Sequence, residues 1–340
     1  MLTCDAAKEA PPAPAEAPAA RQGLIQALHR HRRLLQLAFG LSVLGYLLGK
    51  FEFGQIVALW GRVNFPALAG LWWTFTAATM ALSGANLFIL LKAFGPSRGA
   101  LAKILRTVPR LEFFSLVVPG RLADVSLLHF LSGHATRPQV LAALFLDKVI
   151  TLGVVGALAA LGIGIAFGWL PGAALAGAGL AGLAVLSQLL LGAQTGRLRS
   201  WLGRKLLRRY SEKLKGFRSD FLTLLKAYPA WLANLALTLG KLVLYGAVTR
   251  IGYSLFGTEV PLGYLILTLA AAQLISILPI SPWGLGVFEG TNIFLLEKVG
   301  VPPQLVLSFF LATRPLAITL LAILNLALTL TARSSGKQQT

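Results

Sequence analysis

Apolar runs of membrane-spanning length recur along this chain, and they fix its solvent before anything else is read. Residues 34–49, 65–91, 139–167, 169–193 and 302–330 each read as a span, and 221–256 holds one long span with room before it for a surface helix ending near Pro229. A helix needs about 20 apolar residues to cross the hydrocarbon core. The composition agrees, with 56% hydrophobic residues, 13% charged residues and a mean hydropathy of +0.72. The predicted fold class is an all-α polytopic membrane protein.

Two apolar segments are interrupted. The first, LEFFSLVVPGRLADVSLLHFL at 111–131, is broken at Pro119 and Gly120, and Arg121 and Asp124 follow at once. The second, within 261–296, carries LPISPWGLGVFE at 278–289. Pro279 and Pro282 each remove a backbone donor and clash with the preceding turn; Gly284 and Gly286 loosen what remains. Freed backbone groups at membrane depth must be buried in protein or line a cavity. The expectation is a broken helix: one half arrives at Leu278 and the second leaves from about Trp283, with Ser281 as its cap and Pro282 as its first residue. That positive helix end at membrane depth would suit an anion. The plainer alternative is a kink covered by neighbouring helices.

The +19 net charge lies mainly between the apolar runs, so it reads as loop charge and not as a nucleic-acid surface. Residues 92–110 hold five Lys or Arg and no acid; residues 197–218 hold nine, against Glu212 alone. Cytoplasmic loops carry such an excess. Placing the N-terminal region, both basic loops and the C-terminal tail on that side leaves six full spans. It also requires each interrupted segment to turn back, as re-entrant hairpins at about 104–131 and 262–297 entering from opposite faces. Two interrupted segments of opposite orientation are the sign of an inverted-repeat transporter. Residues 1–33 read as a disordered tail and a basic juxtamembrane segment, 34–332 as one transmembrane domain with a basic loop at 194–220, and 333–340 as a cytoplasmic tail. Residues 1–20 lack the apolar core of a signal peptide. Small residues at four-residue spacing, Gly156, Ala160 and Gly164, predict close helix approach between 139–167 and 169–193.

Seven ionisable residues fall at membrane depth: Arg121, Asp124, Asp147, Lys148, Lys241, Glu289 and Arg314. Such residues are costly there and mark function by default. Four cations against three acids suit a cavity for an anionic group, with Arg able to grip a phosphate bidentately. Structural roles compete with this reading. Arg121 and Asp124 can pair on one helix face, and Arg314 can pair with Glu289. Glu289 also suits the start of its half-helix, and Lys148 can snorkel. Asp147 and Lys148, adjacent on a helix, point about 100° apart and call for other partners. Asn86 fits an interhelical hydrogen bond better than a ligand.

These residues together resemble a family. PGRLAD at 119–124, Asp147-Lys148 early in the next span, LPISPWGLGVFE, KVGVPP at 298–303 and an Arg in the last span are similar to the lysylphosphatidylglycerol synthase transmembrane-domain family, or flippase-like domain. The resemblance covers roughly 30–332. Asp124 stands where the family often has Glu, and Asp147-Lys148 where Glu-Arg is usual; both swaps keep charge and change reach. In the name-giving members this domain flips an aminoacylated phospholipid made by a fused soluble synthase. Seven residues follow Arg333 here, so the resemblance implies the lipid-translocating part alone. Relatives are linked to phospholipid, hopanoid or polyprenyl-phosphate-sugar pathways, and a bacterial inner membrane is the expected location.

The expected function is therefore translocation of a phospholipid or lipid-linked head group, anionic or zwitterionic. Arg121, Lys241 and Arg314 would hold its phosphate near Ser281; Asp124, Asp147 and Glu289 would balance charge. No cofactor or metal is expected, since there is neither a GxxxxGK[ST] nor an HExxH pattern. The alternatives are an intramembrane enzyme on a lipid-linked substrate, with His129, His134, Asp124 and Glu289 as acid–base groups, or an accessory subunit of a lipid or glycan biosynthesis system.

Overall fold

The structure is a computed structural model that describes residues 19–51, 53–97, 99–116, 126–131, 133–191, 211–277 and 280–337. Every regular element among them is helical. In chain order these are α1 (Ala19–Lys50), α2 (Phe53–Trp60), α3 (Phe65–Lys92), α4 (Ala100–Ser115), α5 (Leu127–Phe130), α6 (Arg137–Phe167), α7 (Trp169–Leu191), α8 (Ser211–Lys226), α9 (Tyr228–Leu255), α10 (Leu262–Ile277), a 3-10 turn at Pro282–Gly284, α11 (Val287–Glu297) and α12 (Pro303–Lys337).

Four of these are long and apolar enough to cross a membrane: α3, α6, α9 and the Pro303–Thr331 part of α12. Leu34–Lys50 and α2 pass the same test only when taken together across an 84° bend, which makes four or five candidate crossings among the described residues. The apolar described part of α7, Trp169–Val185, is shorter. Two expectations change. The basic lead-in and the first span form one continuous helix, α1, and the stretch between the first two expected spans contains a helix, α2.

Local chemistry explains the boundaries. Asn64 caps α3, its side chain accepting from Ala67 N–H at 3.1 Å, and Pro66 sits in the first turn, where its missing donor costs nothing. Gln139 reaches back to the Thr136 N–H at 2.9 Å at the start of α6. Pro229 separates α8 from α9, so residues 221–256 are two helices meeting at Ala227. The α6–α7 pair approaches as closely as its small residues allow. A Cβ on Gly172 would lie 2.6 Å from the Ala160 carbonyl oxygen and 2.9 Å from Gly164 Cα. Gly156 has nothing within 4 Å.

Two apolar cores flank the middle of α3. One gathers Leu68, Trp72, Tyr253, Leu265, Leu296 and Phe309 from α3, α9, α10, α11 and α12. The other gathers Leu87, Leu90, Ile104, Val140, Leu146 and Leu224 from α3, α4, α6 and α8. Gly252 is needed in the first core because Phe309 Cε2 takes up the space where a Cβ would stand.

Helices α3 and α9 pack side by side and run antiparallel. Asn86 meets Thr238 and Asn234, while Trp72 and Phe75, earlier on α3, meet Tyr245, later on α9. Both show one outward face: Gly70, Trp73, Ala77 and Ala81 on α3, and Leu232, Ala236, Leu239 and Val243 on α9, are exposed.

Candidate functional site

The backbone break lies between α10 and α11. Trp283 has φ 51°, Gly284 67° and Gly286 78°, so three residues in four take the left-handed region. Glycine adopts it freely, whereas a bulky residue such as Trp283 is strained there. The second helix begins later than the sequence suggests. Its first residue is Val287 with Gly286 at the cap, and Pro282 opens only a three-residue 3-10 turn. Ser281 is thus not the cap of the second half-helix. Its side chain makes no cap hydrogen bond, and its Oγ is buried without a partner among the described residues.

Glu289 takes over the capping work. It is the third residue of α11, 1% exposed, and its Oε2 accepts from the Gly286 N–H at 2.8 Å. The other oxygen pairs with Nε of Arg314 on α12. Arg314 also donates through Nη1 to the Trp283 carbonyl at 3.4 Å. Its guanidinium carbon lies 4.9 Å from the Trp283 ring centroid and 6.0 Å from that of Phe288. One arginine therefore holds the break through a carboxylate, a carbonyl and an aromatic face. Helix α1 covers the other side: a Cβ on Gly286 would lie 2.9 Å from the Gly40 carbonyl oxygen. Tyr245 of α9, stacked on Phe75 at 5.1 Å, lies within electrostatic range of both Arg314 and Glu289.

A second polar group forms where α3, α6 and α9 meet. Asp147 Oδ2 lies 3.4 Å from Lys148 Nζ, so these neighbours pair directly, in addition to the further partner expected for Asp147. Asp147 Oδ1 also accepts from Asn234 Nδ2 at 3.0 Å. The same amide nitrogen lies 3.3 Å from the Asn86 carbonyl, and Asn86 Nδ2 donates to Thr238 Oγ1 at 3.1 Å. Asn86 thus makes the interhelical bond expected of it. The side-chain oxygens of both Asn86 and Asn234 are buried without a partner among the described residues.

The structure therefore separates the site residues into two groups. Ser281, Gly284, Gly286, Glu289 and Arg314 converge at the break; Asp147 and Lys148 belong to the second group. Lys241 lies on α9 between Thr238 and Tyr245, half-buried. Pro119, Gly120, Arg121, Asp124 and Pro279 lie outside the described residues. Sequence reading missed Asn234, Thr238, Tyr245 and Trp283. The first two carried a signal, being polar residues four apart in an apolar helix.

A family model, that of the lysylphosphatidylglycerol synthase TM region, matches residues 33–324. The chain belongs to the lysylphosphatidylglycerol synthase TM family. Comparison with curated proteins and with solved structures returned no match. Family membership and the apolar helices together make this an integral, multi-pass membrane protein.

Proposed function

We propose that this chain is a lipid translocase of the inner membrane, moving a phospholipid or lipid-linked head group through a polar region at mid-membrane. The observation that carries the reading is the buried Glu289–Arg314 pair set into a backbone break. Burying an ion pair in an apolar setting is a poor route to stability alone, and at membrane depth ionisable groups mark substrate pathways.

The helix lengths support a re-entrant hairpin at the break. Helix α10 has 16 residues and α11 has 11, and at 1.5 Å per residue each falls short of a hydrocarbon core of about 30 Å. They pack against each other across the break. A corresponding hairpin around Arg121 and Asp124, an inverted repeat, six full spans and cytoplasmic termini complete the proposed architecture. The head-group phosphate engages Arg314, Lys241 and Arg121, and Glu289, Asp147 and Asp124 keep the region near neutrality.

The test is purified protein in liposomes with a panel of labelled phospholipids and polyprenyl-linked sugars, scoring both leaflet position and chemical identity. Movement without chemical change supports the translocase. A changed lipid indicates an intramembrane enzyme. Neither outcome, with an effect only on a partner enzyme's activity, indicates an accessory subunit.

A further inference from the structure

The sequence α3–α9 pairing creates a feature that lies outside the break. On α3, Thr79, Ser83 and Asn86 follow one another at spacings of four and three residues; on α9, Asn234, Thr238 and Lys241 do the same. Such spacing keeps each set on one helix face. That face is turned away from the outward residues Ala77 and Ala81 on α3 and Leu239 and Val243 on α9, which are exposed while all six polar residues are buried or half-buried. The contacts fix the register. Asn86 meets Thr238 at one end, and Phe75 stacks on Tyr245 at the other. An antiparallel pair with these anchors sets Thr79 level with Lys241. Two polar stripes therefore face each other along one seam.

One end of the seam joins a charged pair, and the other lies within electrostatic range of a second. Asp147–Lys148 joins it through Asn234. Tyr245, two turns along α9 from Thr238, lies within range of Glu289–Arg314. Asn234 and Tyr245 are separated by about 16 Å of helix rise, at 1.5 Å per residue, so the seam spans about half of the hydrocarbon thickness.

A second observation indicates that the seam takes a polar guest. Asn86 and Asn234 are 1% and 0% exposed, and the side-chain oxygen of each lacks a hydrogen-bond partner among the described residues. Asn234 spends its Nδ2 on two acceptors, Asp147 Oδ1 and the Asn86 carbonyl, which turns its own oxygen away from both. Buried unsatisfied oxygens are disfavoured and call for an ordered water or ligand donor. Midway, the Thr79 hydroxyl bonds back to the Thr76 carbonyl at 3.0 Å. It is satisfied without holding the two helices together and can exchange that bond for one to a guest.

We propose that the α3–α9 seam is the hydrated path of the phosphate-bearing head group between the two charged pairs, with Lys241 as its middle station. This rests on the translocase reading and names the route within it. The ligand class is a phosphate ester with hydroxyl or ammonium donors: the phosphate answers Lys241, and the donors answer Asn86 and Asn234.

The test uses the full chain in liposomes with its single cysteine removed (Cys4→Ser). Single cysteines are placed at Thr79 and Ser83 on the seam, and at Ala77 and Ala81 on the outward face. A membrane-impermeant, water-borne thiosulfonate should label Thr79→Cys and Ser83→Cys at least tenfold faster than the two controls. Glycerol 3-phosphate at millimolar concentration should slow that labelling severalfold. Seam labelling as slow as the controls overturns the proposal, because the seam is then dry packing. Fast labelling that glycerol 3-phosphate leaves unchanged also overturns it, since the water there would not be a head-group path. In parallel, Ser83→Leu should reduce lipid translocation at least tenfold while Ala81→Leu does not. If the wild type translocates no lipid yet its seam labels and is protected, the translocase reading fails and the seam stands as a phosphate-ester site.

Discussion

Arg314 lies face-on to Trp283, with its guanidinium carbon 4.9 Å from the ring centroid, and Trp283 holds a φ of 51°. The residue with the least favourable backbone in the break is thus the one the arginine clamps. Strain of this kind persists where its surroundings over-determine it, and it concentrates at functional sites. Trp283→Ala removes the ring and keeps the strained φ, whereas Trp283→Gly removes both. We expect both variants to be less stable than wild type, with the glycine variant ahead of the alanine variant by about 1 kcal/mol. Unfolding in detergent measures the difference; alanine equal to or better than glycine would contradict the strain, and either variant as stable as wild type would contradict the clamp.

Glu289 and Arg314 should behave as one unit. Glu289→Gln keeps an acceptor for the Gly286 N–H but strands Arg314; Arg314→Met strands Glu289. Each single change is expected to cost about 3–5 kcal/mol, the usual penalty for halving a buried pair. The double variant should fall short of the sum by about 2 kcal/mol. A double-mutant cycle of unfolding free energies reads this directly, and simple additivity would mean the pair is not coupled.

The Asp147 group should show an asymmetry between its two partners. Asn234 is fully buried and donates to Asp147, so Asn234→Leu leaves a carboxylate oxygen unsatisfied and should cost about 1–3 kcal/mol. The Lys148 side chain is 37% exposed, and Lys148→Ala should cost less than about 1 kcal/mol. A larger loss for Lys148→Ala than for Asn234→Leu would show that the lysine, and not the asparagine, holds Asp147.

Glycines in the same helix should respond in opposite directions. Gly252→Ala drives a methyl against Phe309 and should destabilise by about 1–3 kcal/mol. Gly240 has nothing within 4 Å, and Gly240→Ala should stabilise α9 by up to about 1 kcal/mol from helix propensity. Thermal unfolding of both variants tests the α9–α12 packing.

Much of the architecture was legible because membrane helices announce themselves by length and apolarity. The spans α3, α6, α9 and α12, and the break at α8–α9 near Pro229, follow from runs and prolines alone. The break after α10 was legible as a break, from Pro282, Gly284 and Gly286. Its internal geometry was not. The helix restarts at Val287 because Gly286 takes the left-handed cap and Glu289 reaches back to it, a choice made by the Arg314 and Gly40 contacts from distant parts of the chain. Glu289–Arg314 pairing was anticipated as a structural alternative, and their spatial convergence needed the tertiary fold. Asn234 and Thr238 stayed hidden because nothing local to α9 shows that α3 and α6 bring Asn86 and Asp147 to them. The direct pairing of Asp147 and Lys148 also ran against helix geometry, since a long lysine side chain can bend back to its neighbour.

The most direct measurement of the central claim is the rate at which a head-group-labelled phospholipid equilibrates between leaflets of liposomes holding the purified protein. The account predicts at least tenfold acceleration over protein-free liposomes for the wild type, and a fall to near the protein-free rate for folded Glu289→Gln and Arg314→Met. A folded wild type no faster than protein-free liposomes across the lipid panel would contradict translocation. Wild-type rates in both variants would contradict the placement of the site at the Glu289–Arg314 break.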